Sequence, residues 1–124
     1  MLMGEVCKRT GLTADTLRFY EKIGLMPTVA RDAGGRRRYG PADLRWLEFL
    51  ALLRATGMPQ AQRLHYAQLR AEGDATVTAR REMLETQRDA VVQKIADLTR
   101  TLGFLDDKIA LYRRMENGDT DDNT

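Results

Sequence analysis

From about Thr76 to Asn117 the chain runs without proline, and apolar residues return at every seventh position. Leu84, Val91, Leu98, Leu105 and Tyr112 form one series. Ile95, Leu102 and Ile109 form a second, each three residues ahead of a later member of the first. Assigned to the d and a positions of a heptad, they draw one apolar seam along a single long helix. Such a helix of about 40 residues measures roughly 60 Å. The rest of the 124-residue chain holds one small domain of roughly 70 to 80 residues. A domain of that size cannot bury so long a seam. The pattern therefore asks for a partner helix, most simply from a second copy, with Val91, Ile95, Leu98, Leu102, Leu105, Ile109 and Tyr112 at the interface. The alternative is a helix folded over its own domain. Against it, only lone Gly103 interrupts the run from Arg80 to Glu116. Arg88 takes the preceding a position, so the seam frays toward its N-terminal end.

The first seventy residues read as short helices separated by turn signals. Met3, Val6 and Cys7 give a first helix one apolar face, and Gly11 breaks it. Thr13 caps a second helix, with Asp15 in its first turn where the dipole favours an acid. Leu17, Tyr20 and Ile23 lie toward one side of that helix, and Asp15, Arg18, Phe19 and Lys22 toward the other. Gly24 ends it and Pro27 prevents its return. Thr28 to Arg31 and Arg36 to Tyr39 flank the turn-type run Asp32-Ala33-Gly34-Gly35, which predicts a two-stranded hairpin. Pro41 opens a third helix with a wide apolar face, from Leu44 through Trp46, Leu47, Phe49 and Leu50 to Leu52 and Leu53. A fourth helix begins at Pro59 and runs to about Ala71, where Gly73-Asp74 breaks it.

Charge is distributed unevenly. The net formal charge is +2, yet residues 1–40 hold eight Lys and Arg against four Asp and Glu. Sixteen of the twenty basic residues are arginine and are spread along the whole chain. The signal is therefore not arginine content but the run Arg36-Arg37-Arg38 on the hairpin, an electrostatic footprint for a polyanion. A helix that can enter a groove beside a basic hairpin is a nucleic-acid-binding layout. Arg18 on the outer face of the second helix can bond guanine edges or phosphates. Phe19 beside it either touches sugar or base surface or tucks under the hairpin. Because strand side chains alternate, Arg36 and Arg38 face one way and Arg37 the other. Arg37 and Arg31 are the expected phosphate grips, with Arg36 at the loop tip and Tyr39 closing the hairpin or reaching a phosphate.

These residues resemble the MerR family of bacterial transcription regulators. Gly11-Leu12-Thr13 with TLRFYEKIGL (Thr16 to Leu25) looks like the family's recognition helix, GGRRRY (Gly34 to Tyr39) like its wing, and LRATGMP (Leu53 to Pro59) like its junction between helices three and four. The long helix is similar in position and length to the family's dimerisation helix. The resemblance implies a mainly α fold: a winged helix-turn-helix head of four helices plus a small two-stranded wing over 1–72, then a dimerisation coiled coil over 76–117. Residues 118–124, polar and acidic, are expected to be a disordered tail. It implies DNA contact by Thr13, Arg18 and Tyr20, and by Arg31, Arg37 and Tyr39 in the wing; Thr16, Phe19 and Lys22 on the same helix and Arg36 at the loop tip, where family members vary, join them as candidates. Tyr20 sits toward the core side, with its ring packed and its hydroxyl on a phosphate. It further implies a homodimer with antiparallel long helices, bound to a palindrome in an over-long promoter spacer. Such a dimer distorts the DNA for RNA polymerase and acts as an activator, using DNA deformation as the switch.

Departures from that pattern limit the sensing chemistry. Cys7 is the single cysteine and reads as a core thiol, and His65 is the single histidine and reads as a solvated helix residue. One thiol and one histidine cannot build an ordinary protein metal site, so neither metal nor cofactor is expected. Positions 60 and 63 on the fourth helix are polar where relatives often carry apolar residues. Tyr66, Leu69, Phe104 and Leu111 are candidates for a small apolar effector pocket, with plain packing of the coil on the other subunit's head as the alternative. No apolar run approaches a membrane span, no signal-peptide pattern opens the chain, and no disulfide within the chain can form. Cytoplasmic residence is the expectation, and no enzyme signature stands out. Two rival readings remain: an architectural, excisionase-like DNA-bending protein that senses nothing, and a non-DNA coiled-coil scaffold whose basic hairpin holds an acidic partner.

Overall fold

The computed structural model describes residues 1–118. The acidic tail expected over 118–124 lies outside them, apart from its first residue. The chain divides into two units, Met1–Glu85 and Thr86–Thr124. Among the described residues the architecture is helical: α1 (Met3–Thr10), α2 (Ala14–Ile23), α3 (Pro41–Ala55), α4 (Gln60–Ala71), a 3-10 turn (Gly73–Thr76) and α5 (Val77–Glu116). No helix among them is long and apolar enough to cross a membrane.

Local chemistry accounts for the helix ends of the first unit. The Thr13 hydroxyl accepts from the Thr16 amide at 3.1 Å and starts α2. Gly24, at φ 81°, ends α2 in a left-handed conformation that a Cβ would strain, and its amide donates to the Glu21 carbonyl. Asp43 accepts from the Gly40 amide at 2.8 Å, which fixes the start of α3 just ahead of Pro41. The 3-10 turn is locked by Thr76, whose hydroxyl donates to the Leu69 carbonyl, while Arg80 bonds Thr76 and the Gly73 carbonyl. The sequence predicted only a helix break there.

The core of the first unit gathers Val6 from α1, Leu17 and Tyr20 from α2, and Trp46, Leu47, Leu50 and Leu53 from α3, with Leu25, Met26 and Val29 between α2 and α3. Met83 and Leu84, in the first turns of α5, pack against this core. Trp46 donates its indole N–H to the Leu25 carbonyl at 2.9 Å and stacks on Tyr66 with ring centroids 6.0 Å apart. Arg70 covers the Trp46 ring at 4.2 Å. Leu52, expected in the apolar face of α3, is exposed, because it falls on the far side of that helix from Leu50 and Leu53.

The hairpin differs from the expected pair of strands. One antiparallel bridge, Arg31 to Arg37, is its only rung. Backbone bonds from Asp32 to Arg36 and from Arg38 to Ala30 flank it. The second segment stops pairing at Tyr39 because the N-terminus claims it. The Tyr39 amide donates to the Met1 carbonyl, and the Met1 ammonium donates to the Tyr39 carbonyl, both at 2.7 Å.

In the second unit α5 presents its seam to solvent. Ile95, Leu98, Leu102, Leu105, Ile109 and Tyr112 are between 48% and 68% exposed, and Val91 is half-buried. These exposed apolar residues repeat at heptad spacing.

Candidate nucleic-acid interface

The outer face of α2 carries Arg18, Phe19 and Lys22, all exposed, with Phe19 at 45%. An aromatic ring held that far into water on a helix between two cations suits stacking on sugar or base surface better than core packing. Arg18 rests on Asp15 at 3.0 Å, a solvent-screened pair that a phosphate or guanine edge can replace at little cost. Thr13 and Thr16 stand at the helix start, and the Thr13 hydroxyl donates to that of Thr16 at 2.9 Å. Both are already engaged in capping. Tyr20 is buried with Leu17, on the core side where the helical spacing put it.

The hairpin is organised by one carboxylate. Asp32 Oδ1 accepts from the amides of Gly34 and Arg36 at 2.9 and 3.0 Å. Its Oδ2 faces Nε of Arg38 at 3.2 Å and of Arg36 at 3.4 Å. The Arg36 amide above all, with that of Gly34 and the two guanidiniums, holds the Asp32 carboxyl below the usual carboxylate range, against the opposing effect of desolvation. Gly35 supplies the positive φ of 79° that closes so tight a turn. Arg31 donates to the Gly35 carbonyl at 2.7 Å and braces the loop from below.

The alternation of the three arginines is as expected, but its consequence is not. Arg36 and Arg38 share the exposed side. Arg37, expected as the main phosphate grip, turns inward and donates from Nε to Glu21 Oε2 at 2.8 Å, with the two side chains 21% and 14% exposed. The inner side of the hairpin lies against α2, and Glu21 waits there. Arg37 thus ties the hairpin to the helix, and the solvent-facing guanidiniums are Arg36 and Arg38. Tyr39 takes the first of its two expected roles. It lies in the core, its hydroxyl enclosed without a hydrogen-bond partner, and burial pushes that phenol above its ordinary range. It closes the hairpin but offers nothing to a phosphate.

The four residues expected for an effector pocket are divided between the two units. Tyr66 is spent on the stack with Trp46 and the ring of Phe49, and it and Leu69 belong to the first unit. Phe104 and Leu111 belong to the second, the former exposed and the latter buried. The first unit carries other concavities: one of about 300 Å³ between Leu12, Tyr20, Leu47, Ala51 and Arg54, and one of about 310 Å³ between Leu2, Met3, Arg31 and Arg36. His65 is exposed and Cys7 half-buried against the core. Among the described residues no three His, Cys, Asp or Glu come together as metal ligands.

Sequence reading singled out neither Glu21 nor Asp32. The Asp-x-Gly-Gly spacing is the usual mark of a side chain bonding its own turn and pointed to Asp32. Glu21 carried no local mark. Arg63 stands out in the sequence only as a polar residue on the fourth helix. It is buried at 7% exposure, with Nε and one Nη enclosed and unpartnered.

Comparison with known proteins gives a consistent answer. The family model described as MerR family regulatory protein matches residues 2–39. An uncharacterized HTH-type transcriptional regulator of Haemophilus influenzae is 39% identical over 110 residues, spanning 89% of this chain and 82% of its own. The HTH-type transcriptional regulator AdhR of Bacillus subtilis is 40% identical, over 75% of this chain and 66% of its own. Among solved structures, HiNmlR, a MerR family regulator lacking the sensor domain and bound to promoter DNA, is 37% identical with a TM-score of 0.83, covering 94% of this chain and 92% of its own. A putative MerR family regulator from Listeria monocytogenes is 36% identical with a TM-score of 0.84, covering 91% and 86%. With an exposed cationic helix face beside a basic hairpin, and relatives of this similarity over most of its length, the chain belongs to the MerR family of DNA-binding transcriptional regulators.

Proposed function

We propose that residues 1–72 act as a winged helix-turn-helix reading head for promoter DNA, and that residues 76–117 join two heads into a homodimer. The observation that carries this reading is the pairing of two exposed cationic surfaces. Arg18, Phe19 and Lys22 on α2 enter the major groove. Arg36 and Arg38 on the hairpin hold the phosphates beside it. Arg31 and Arg37 support the hairpin rather than grip, and Thr13 and Thr16 fix the start of the reading helix. The exposed heptad seam of α5 supports the dimer, since two-fold symmetric heads match a palindromic site.

The likeness to a regulator lacking the sensor domain supports a short-form mode of action. The dimer distorts its promoter and thereby sets how RNA polymerase engages. It performs no chemistry of its own and acts in the cytoplasm. A ligand-free DNA-bending role is the second reading, favoured by the likeness to a regulator lacking the sensor domain. Transcription from the bound promoter, measured with purified polymerase, separates them: a regulator changes transcript yield and a mere bender does not. The dimer itself is tested by Leu98→Asp with Leu105→Asp. That variant is expected to be monomeric by light scattering and to lose site-specific binding. A native chain that is already monomeric contradicts the proposal.

A further inference from the structure

A cleft of about 220 Å³ opens in the first unit, where the end of α2, the segment leading into the hairpin and the last turns of α4 meet at Trp46. Trp46, Met26 and Ala67 line it with apolar surface, and all three are buried. Two charged side chains also line it, and neither has used its full hydrogen-bonding capacity. Arg70 holds its guanidinium over the Trp46 ring at 4.2 Å, and among the described residues it meets no carboxylate and no other acceptor. A guanidinium laid on a ring keeps its edge N–H groups for an acceptor. Glu21 gives Oε2 to Arg37 at 2.8 Å, while among the described residues Oε1 has no partner. Gly24 ends α2 beside the cleft, and the carbonyl end of a helix favours positive charge. Neither the surfaces assigned above to DNA nor the seam of α5 enters this cleft.

We propose that this cleft binds one small apolar α-amino acid. Its carboxylate bonds Arg70, its ammonium bonds Glu21 Oε1, and its side chain rests on the apolar lining. Charge selects this class. A plain carboxylate in the cleft meets Glu21 with like charge, and a plain amine meets Arg70 in the same way. A zwitterion satisfies both, and each contact is a charge-assisted hydrogen bond. The volume holds a single amino acid and excludes a peptide. Regulation follows from Glu21, which also anchors Arg37. An ammonium on one carboxylate oxygen weakens the bond at the other. The bound amino acid therefore loosens the hairpin from α2 and lowers DNA affinity, and DNA lowers the affinity for the amino acid by the same factor. The binding stands on the cleft alone, whereas the regulation rests on the DNA-reading proposal above.

Calorimetric titration of the full chain with L-alanine, L-valine, L-leucine and L-methionine tests the site without DNA. Saturable binding of at least one of the four, with one site per chain, is expected. No binding of any of them up to about 10 mM overturns the site. For the amino acid that binds tightest, the matching acid without the amino group and the matching amine without the carboxyl group should each bind about tenfold more weakly or worse. Equal affinity for either one overturns the zwitterion. Arg70→Met keeps a cover on Trp46 but removes the guanidinium donors. Ala71→Leu fills the cleft from an exposed position at the end of α4. Both variants are expected to melt like the native chain, to hold promoter DNA as it does, and to lose amino-acid affinity about tenfold or more. Retained affinity in either one overturns the site. Fluorescence anisotropy with promoter DNA then reads the regulation. A saturating amino acid should weaken DNA binding about fivefold in the native chain and leave it unchanged in Arg70→Met. Unchanged DNA affinity in the native chain overturns the regulation while leaving the site. A chain that binds the amino acid but no DNA overturns the DNA reading instead.

Discussion

Cutting the ion pair between Arg37 and Glu21 is expected to weaken DNA binding without altering how binding falls with salt. The guanidinium Nε stands 2.8 Å from the carboxylate oxygen, and both side chains are mostly shielded from water. A charge-assisted hydrogen bond of that kind is worth about 2 kcal/mol. Its loss frees the hairpin from α2, so the two contact surfaces no longer reach DNA as one body. If about two thirds of that energy appears in binding, Glu21→Ala and Arg37→Ala each weaken affinity about tenfold. The double variant should lose no more than either single one, since both remove the same link. Each Lys or Arg that contacts a phosphate contributes about 0.9 to the slope of log affinity against log salt. A tie that never touches phosphate leaves that slope unchanged in all three variants. Fluorescence anisotropy over a series of salt concentrations measures both quantities together. The reasoning is refuted if Arg37→Ala lowers the slope by about 0.9 while Glu21→Ala keeps or raises affinity. Arg37 would then be a phosphate grip with Glu21 competing for it.

Three smaller predictions concern groups whose placement was unexpected. Tyr39→Phe removes an enclosed hydroxyl that has no partner, so a thermal melt should show stability unchanged or raised by about 1 kcal/mol, with DNA affinity unaltered. A clear drop in affinity would return Tyr39 to the interface. Arg63→Met replaces a buried guanidinium, two of whose nitrogens are enclosed and unpartnered, and is expected to raise the urea midpoint by about 1 to 3 kcal/mol in stability. A lower midpoint would show that Arg63 has an acceptor in solution. The Asp32 carboxyl is held below its ordinary range, chiefly by the Arg36 amide. Its support of the hairpin is therefore complete above the unfolded value of about 3.9 and is lost as pH falls through the lower folded value. The amide resonances of Gly34 and Arg36 should stay native down to about pH 4 and shift only below it. A shift centred above pH 5 would contradict this.

Much of the fold was legible because it is written in local signals. Thr13 marks a helix start by its side-chain hydroxyl, Gly24, Pro41 and Pro59 mark helix ends by their own backbone chemistry, and the heptad of α5 is a period that one strand of sequence displays in full. The hairpin arginines show where that legibility stops. Alternation tells that Arg37 opposes Arg36 and Arg38, but not what lies on its side. Glu21, its partner, is 16 residues away in sequence. Tyr39 shows the same limit. A tyrosine after three arginines looks like a phosphate ligand, yet the bonds from Met1 draw that segment into the core. Arg63 shares a helical face with Tyr66, Ala67 and Arg70, and its burial follows from that period rather than from its charge. The weak pairing of the hairpin was not visible either, since one rung or four leave the same alternation in sequence.

The central claim is that two joined heads hold promoter DNA through arginines on α2 and on the hairpin. Titrating the full chain against labelled promoter DNA and a scrambled duplex, at salt concentrations from about 50 to 200 mM, tests it most directly. The account predicts binding by a dimer that prefers the two-fold promoter site, with a log-log salt slope near −5 from about six phosphate contacts. A flat salt dependence, or equal affinity for the two duplexes, would contradict it.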